Sequence, residues 1–243
     1  MSREQLSPFW SLAVSGAPSN SAEAWSFEIS TILAGLLGTI PLDAHILTLS
    51  VATFVFLSFP FAIGIAASIL TGQLIGEGNA VGARRSFHVS VSLAAAVQLI
   101  LTIVLWSLAR TIADLFSSDE EVADLVAKLL PVSCIFMMAD AVQAVVGGVL
   151  RGLGRQKLVL GLNILGFWCL AVPCGAILTF TKAINLGVFG LWWGFIVGLY
   201  ASATIGLICI RFFIDWEGEA EKATSRLATI STIATPPTAD TSS

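Results

Sequence analysis

Charge is what this sequence has least of. Of its 243 residues only 12% are Asp, Glu, Lys or Arg, while 56% are hydrophobic and the mean hydropathy is +0.89. A soluble domain carries about 25% charged residues. Half that density, with apolar runs near the roughly 20 residues a bilayer core requires, excludes an ordinary soluble domain and points to a polytopic protein in a lipid bilayer. No basic cluster occurs and the formal net charge is −4, so no nucleic-acid partner is expected. Cysteine is scarce: Cys134, Cys169, Cys174 and Cys209 fall in apolar runs without C-x-x-C spacing and read as small packing residues. His45 and His88 lack neighbours at metal-ligand spacing and read as turn or interface residues, so no metal is expected. P-loop, dinucleotide, H-E-x-x-H and G-x-S-x-G signatures are missing, so neither enzyme chemistry, catalytic residues nor a cofactor is expected. The opening MSREQLSPFW does not lead a basic region into an apolar core, as a signal peptide would.

What is present is a series of apolar runs. Six candidate spans cover about Phe9–Gly38, His45–Leu74, Ser86–Phe116, Leu125–Leu153, Leu158–Phe180 and Leu186–Ile214. They predict an all-α membrane fold, a six-transmembrane-helix bundle over residues 1–214. Residues 215–243 are charged, then rich in Thr, Ser and Pro, and read as a disordered tail with room for a short helix near Glu217 to Ile230. The connector SSDEEVADL offers Ser118 or Asp119 as a helix cap, with Glu120 and Glu121 in the positive first turn. Arg3, Arg84, Arg85, Arg151, Arg155, Lys157, Arg211, Lys222 and Arg226 collect on one side, and Arg110, Lys128 and Lys182 on the other, which predicts cytoplasmic termini.

Three acids interrupt the spans: Glu23, Glu28 and Asp140. An acid at the centre of a span costs about 2.5–3.5 kcal/mol, and survives where it faces a bundle interior or a water-filled cavity. No Lys or Arg is expected within the membrane to neutralise them, and an acid that changes protonation there can exchange a proton for a cationic solute. Glu23 and Glu28, five apart, lie about 140° from one another on a regular helix. Either both border a broad cavity or the helix is irregular. Pro18, five residues before Glu23, predicts a break among Ser15, Gly16, Ser19, Asn20 and Ser21. Asp140 and Gln143, three apart, share a helix face. Gly147 and Gly148 read as helix-packing residues. Asn163 and Gln98 are buried polar candidates for interhelical hydrogen bonding ahead of substrate contact. Trp25 and Phe27 flank the glutamates and offer either a cation–π surface or packing. Trp106, Trp192, Trp193 and Trp216 fit interfacial anchoring.

Three stretches together resemble the multidrug and toxic compound extrusion (MATE) family. EAWSFE, Glu23 to Glu28, is similar to the acidic-aromatic segment that opens the second half of eukaryotic members. GQLIGEGNAVGARRS, Gly72 to Ser86, resembles the turn after the family's eighth helix. DAVQAVVGGVLRGLGRQK, Asp140 to Lys157, resembles its tenth helix and R-G-x-G-x-Q exit. The likeness covers about Pro8 to Ile214 and implies the C-terminal six-helix lobe of a twelve-helix antiporter. It implies proton coupling and recognition of cationic organic compounds at Glu23, Glu28 and Asp140, with Trp25, Gln143 and Asn163 beside them. It further implies alternating access, with sodium ranked behind the proton. Family members more often place a second aromatic beside Trp25, where this chain has Ala24 and Ser26. The expected setting is a plasma or vacuolar membrane, and the expected protein partner a missing N-terminal lobe or a second copy. A non-transporting scaffold or partner subunit, an inactive fragment, and a lipid-linked oligosaccharide flippase of related fold are the alternatives. The flippase is disfavoured because it calls for cationic residues within the spans.

Overall fold

A backbone in hydrocarbon satisfies its N–H and C=O groups internally, and a helix does so within one segment. The computed structural model describes residues 21–234, with side chains placed to Ser225, and is helical almost throughout. Helix α1 (21–35) is the described part of the first expected span. The start at Phe9, Pro18 and the polar residues Ser15, Gly16, Ser19 and Asn20 lie outside the described residues. Helices α2 (Thr39–Ser58) and α3 (Pro60–Gly76) form one long unit interrupted at Phe59, where Pro60 opens a new first turn. In the GEGN turn, Gly78 takes the left-handed conformation at φ 77°, and Asn79 caps α4 (Ala80–Ser107) by accepting a hydrogen bond from the Gly82 N–H at 2.8 Å. Short α5 (Ala109–Phe116) follows, its Arg110 pairing with Asp114 at 2.9 Å and with Asp124.

Asp119 caps α6 (Glu120–Gly152): its Oδ1 accepts from the N–H groups of Glu121 at 2.9 Å and Val122 at 3.4 Å. The fifth unit runs through α7 (Gln156–Asn163), a π-helical stretch Ile164–Ala171 and α8 (Val172–Phe180). The widened turns precede Pro173, which has no N–H to donate and whose ring crowds the preceding turn. Helix α9 (Val188–Ile208) ends in a π turn, Cys209–Phe213, and α10 (Trp216–Ala234) closes the described chain. Among the described residues, five units are long and apolar enough to cross a membrane: Thr39–Gly76, Ala80–Ser107, Glu120–Gly152, Gln156–Phe180 and Val188–Phe213.

Helix α6 is the central post, packed against α2, α3, α4, α5 and α9. Leu129, Leu130, Phe136, Val145 and Leu150 are buried along it. Glycine sets its approach to α3: a Cβ at Gly148 would lie 2.1 Å from the Gly64 carbonyl oxygen, so only glycine fits. From α9, Trp192 and Phe195 enter the same core. Trp192 is fully buried against His45, itself fully buried, with 5.7 Å between ring centroids. Neither is therefore the interface residue the sequence suggests. His45 Nε2 meets Ser30 Oγ at 3.3 Å, a polar tie between α1 and α2. The outer faces stay apolar, with Phe54, Ile100 and Ile103 exposed, as expected of surface covered by lipid chains.

Helix α10 occupies the segment expected to hold a short helix in a disordered tail. Its Ala220, Trp216 and Ala223 pack on Ile75, Ala80 and Ala83 at the α3–α4 turn and on Leu153. Glu219 pairs with Arg155 at 2.8 Å and Lys222 at 3.3 Å.

Candidate functional site

A cavity of about 270 Å³ opens between α1, α2, α3, α6 and α7, just below the roughly 300–1,000 Å³ of typical small-molecule sites. Carboxylate and amide groups reach it from three helices, and the Thr53 hydroxyl from a fourth, α2. Glu23 comes from α1, Asp140 and Gln143 from α6, and Asn163 from the end of α7. Asp140 and Gln143 are each 8% exposed and Asn163 4%, so these groups sit at the cavity wall and not on an outer face. Gln143 Nε2 donates to Asn163 Oδ1 at 3.4 Å and to Ser202 Oγ at 2.9 Å, and Ser202 Oγ donates onward to the Leu162 carbonyl at 3.0 Å. This network fixes the Gln143 amide and ties α6 to α7 and α9. Gln98, by contrast, is fully buried with neither amide atom hydrogen-bonded among the described residues, so the interhelical bond expected of it is not formed.

The expectation that no Lys or Arg neutralises the acids fails. Arg151 lines the same cavity as Glu23 and Asp140. Glu23 lies close enough to both Asp140 and Arg151 for their charges to act on it. The guanidinium reaches back from the last turn of α6 across Gly147, where a Cβ would lie 3.4 Å from Arg151 Nη2. Gly147 thus leaves room for this side chain, while Gly148 serves helix packing. The signal was in the spacing: Asp140, Ala144, Gly147 and Arg151 recur at helical intervals and form one stripe.

Glu28 and Trp25 are not brought to the cavity. α1 is regular, and Glu28 stands exposed on another face. Trp25 is 63% exposed and lines a separate apolar groove with Leu160, Ile164 and Trp168. Trp168 Nε1 donates to the Ala22 carbonyl at 2.8 Å across that groove. The aromatic faces of the cavity come instead from Phe27, Phe56, Phe61 and Phe136. Phe27 is held by Phe195 at 4.8 Å and Phe136 at 6.1 Å between centroids. Nothing in the sequence marks Phe56, Phe61 or Phe136, because phenylalanine in a membrane span is unremarkable until a cavity puts it beside charge. A partly enclosed space with carboxylates, an amide pair and aromatic faces suits an organic cation. No group of three or more His, Cys, Asp or Glu able to hold a metal occurs among the described residues.

The MatE family model matches residues 17–177. Multidrug and toxin extrusion protein 2 of Mus musculus is 37% identical over 210 residues, which cover 86% of this chain and 36% of that protein. Protein DETOXIFICATION 8 of Arabidopsis thaliana is 34% identical over 226 residues, 91% of this chain and 45% of that protein. The crystal structure of the eukaryotic MATE transporter AtDTX14 superposes with a TM-score of 0.85 at 26% identity, over 92% of this chain and 50% of that one. The chain therefore spans less than half the length of these two curated relatives.

Proposed function

The chain belongs to the MatE family, and from that premise we propose that it is one lobe of a secondary active efflux transporter that exchanges cationic organic compounds for protons. The observation that carries this reading is the convergence of Glu23 and Asp140 on one cavity walled by aromatic rings. In the proposed cycle the ionised carboxylates hold the cation against Phe27 and Phe136, and Gln143 orients its polar end. Protonation of Glu23 and Asp140 removes the attraction and releases the cation. Arg151 supplies a tethered positive charge that occupies the acids when substrate is gone. Two carboxyls against one guanidinium leave room for a single added cation, which weighs against an anionic lipid-linked substrate. Sodium in place of the proton is the second coupling ion to test.

The test is binding of a fluorescent organic cation to the purified chain across a pH series, beside Asp140→Asn and Glu23→Gln. Binding that weakens on acidification, and that falls in both variants, supports the proposal. Equal binding by all three proteins at every pH overturns it.

A further inference from the structure

A second polar pocket is lined by cations instead of acids. Arg84 and His88, one helical turn apart on α4, and Arg211, from the π turn after α9, line it together with Phe87 and Trp216. Its volume is about 110 Å³, too small for a drug-sized molecule, whose sites take roughly 300–1,000 Å³. The floor is fixed by packing. The Phe87 ring stands 6.3 Å from Trp216 and 5.1 Å from His88 between centroids.

Arg211 lies over the exposed Phe212 ring, 5.7 Å from its centroid. Neither Arg84 nor Arg211 forms an ion pair within 4.0 Å among the described residues. Two acids, Asp215 and Glu217, line an adjoining pocket with Arg84. Asp215 is engaged in capping α10, accepting from the Gly218 N–H at 3.2 Å. The pocket also sits at a defined depth. Arg84 is in the first turns of the apolar unit Ala80–Ser107, and Arg211 is two residues from the end of Val188–Phe213. Both ends therefore lie at the boundary between hydrocarbon and water. Beside them Phe212 and Phe213 are each 73% exposed, an apolar surface at the same level.

We propose that Arg84, His88 and Arg211 form a binding site for the phosphate of an anionic phospholipid headgroup, with the acyl chains lying along the neighbouring apolar surface. Guanidinium groups match phosphate oxygens in a forked, charge-assisted geometry, and basic pockets between membrane helices take phosphate-bearing headgroups by this chemistry. The site lies away from the acidic cavity and shares no lining residue with it. A bound lipid would join α4, the end of α9 and the start of α10.

The test uses the full chain purified in detergent and exposed to phosphatidylcholine vesicles with or without phosphatidylglycerol, and separately to inorganic phosphate. Lipid retained through purification is counted by native mass spectrometry, and thermal unfolding is followed in parallel. The expected result is selective retention of phosphatidylglycerol with a raised unfolding temperature. That retention falls to the phosphatidylcholine level in the Arg84→Gln/Arg211→Gln double variant and is unchanged in Arg85→Gln, whose side chain lies outside the pocket. His88→Gln, a milder change, gives partial loss and guards against misfolding of the double variant. Protection by inorganic phosphate alone, or equal retention of both lipids by the wild-type chain, overturns the proposal, as does undiminished retention by a folded double variant.

Discussion

Arg151 alters what the two carboxyls can do. A carboxylate buried with no partner is costly in an apolar medium, and a guanidinium across the cavity lowers that cost. An organic cation entering beside Glu23 and Asp140 competes with Arg151 for the same negative charge. Replacing Arg151 with Gln removes the competitor, so cation affinity should rise on the order of tenfold, equivalent to about 1.4 kcal/mol. Titration of a fluorescent cation into Arg151→Gln measures this, and unchanged or weaker binding would remove Arg151 from the coupling scheme. The neighbouring glycines separate packing from site chemistry. Gly148→Ala drives a Cβ against the Gly64 carbonyl and should cost about 1–3 kcal/mol or more, seen as a lower unfolding temperature. Gly147→Ala meets only the flexible end of Arg151, so it should leave stability nearly intact and shift cation binding. Asp140 was legible because an acid in an apolar run must be explained, and Gln143 because it lies three residues on. Arg151 was misassigned: its position near a span's end placed it in the basic connector, although its helical spacing from Asp140, Ala144 and Gly147 sets it on the same stripe.

At the scale of elements, the sequence displays what is periodic or capped and hides what depends on a neighbour. Asp119 before Glu120 and Glu121 marked the start of α6, and five of the apolar runs became long helical units. The docking of α10 was hidden, because its segment has little apolar surface and gains stability only from the α3–α4 turn it covers. Its polar tie is titratable. Partial burial alone would raise the Glu219 carboxyl, but hydrogen bonds and charge from Arg155 and Lys222 outweigh it and hold it below the ordinary value of 4.5. Its contribution to docking is therefore complete above the unfolded carboxyl's pKa and is lost as pH falls through the depressed folded value. Arg155 is 37% and Lys222 65% exposed, so screening limits the contribution to about 1 kcal/mol or less. Hydrogen exchange over α10 should accelerate below about pH 4 relative to neighbouring helices, after correction for intrinsic rates. Glu219→Gln should show that faster exchange already at neutral pH. Protection that is the same in both proteins would mean that Trp216 and Ala220 hold the helix without the ion pairs.

At the scale of the whole molecule, the described residues form one bundle around α6. Alternating access needs two bundles that rock against each other about a site near the membrane midplane, so the proposed transport calls for a second bundle beside the one around α6. The separation of Glu23 from Glu28 bears on this directly. Glu23 faces the cavity within the lobe, whereas Glu28 is exposed on another face of α1. An ionisable side chain in a membrane is costly unless protein or water covers it, so the proposed cycle gives exposed Glu28 a role that a second lobe would complete. Two consequences follow from one experiment in liposomes under an imposed pH gradient. The chain alone should bind the fluorescent cation but not accumulate it, and co-assembly with the N-terminal half of a relative such as Multidrug and toxin extrusion protein 2 should restore gradient-driven uptake. Within that assembly Glu28→Gln should depress uptake, while in the isolated chain it leaves binding unchanged; Asp140→Asn should abolish both. Uptake by the chain alone would show instead that two copies of this lobe suffice, and equal uptake by assemblies with and without Glu28 would reduce that acid to a surface residue.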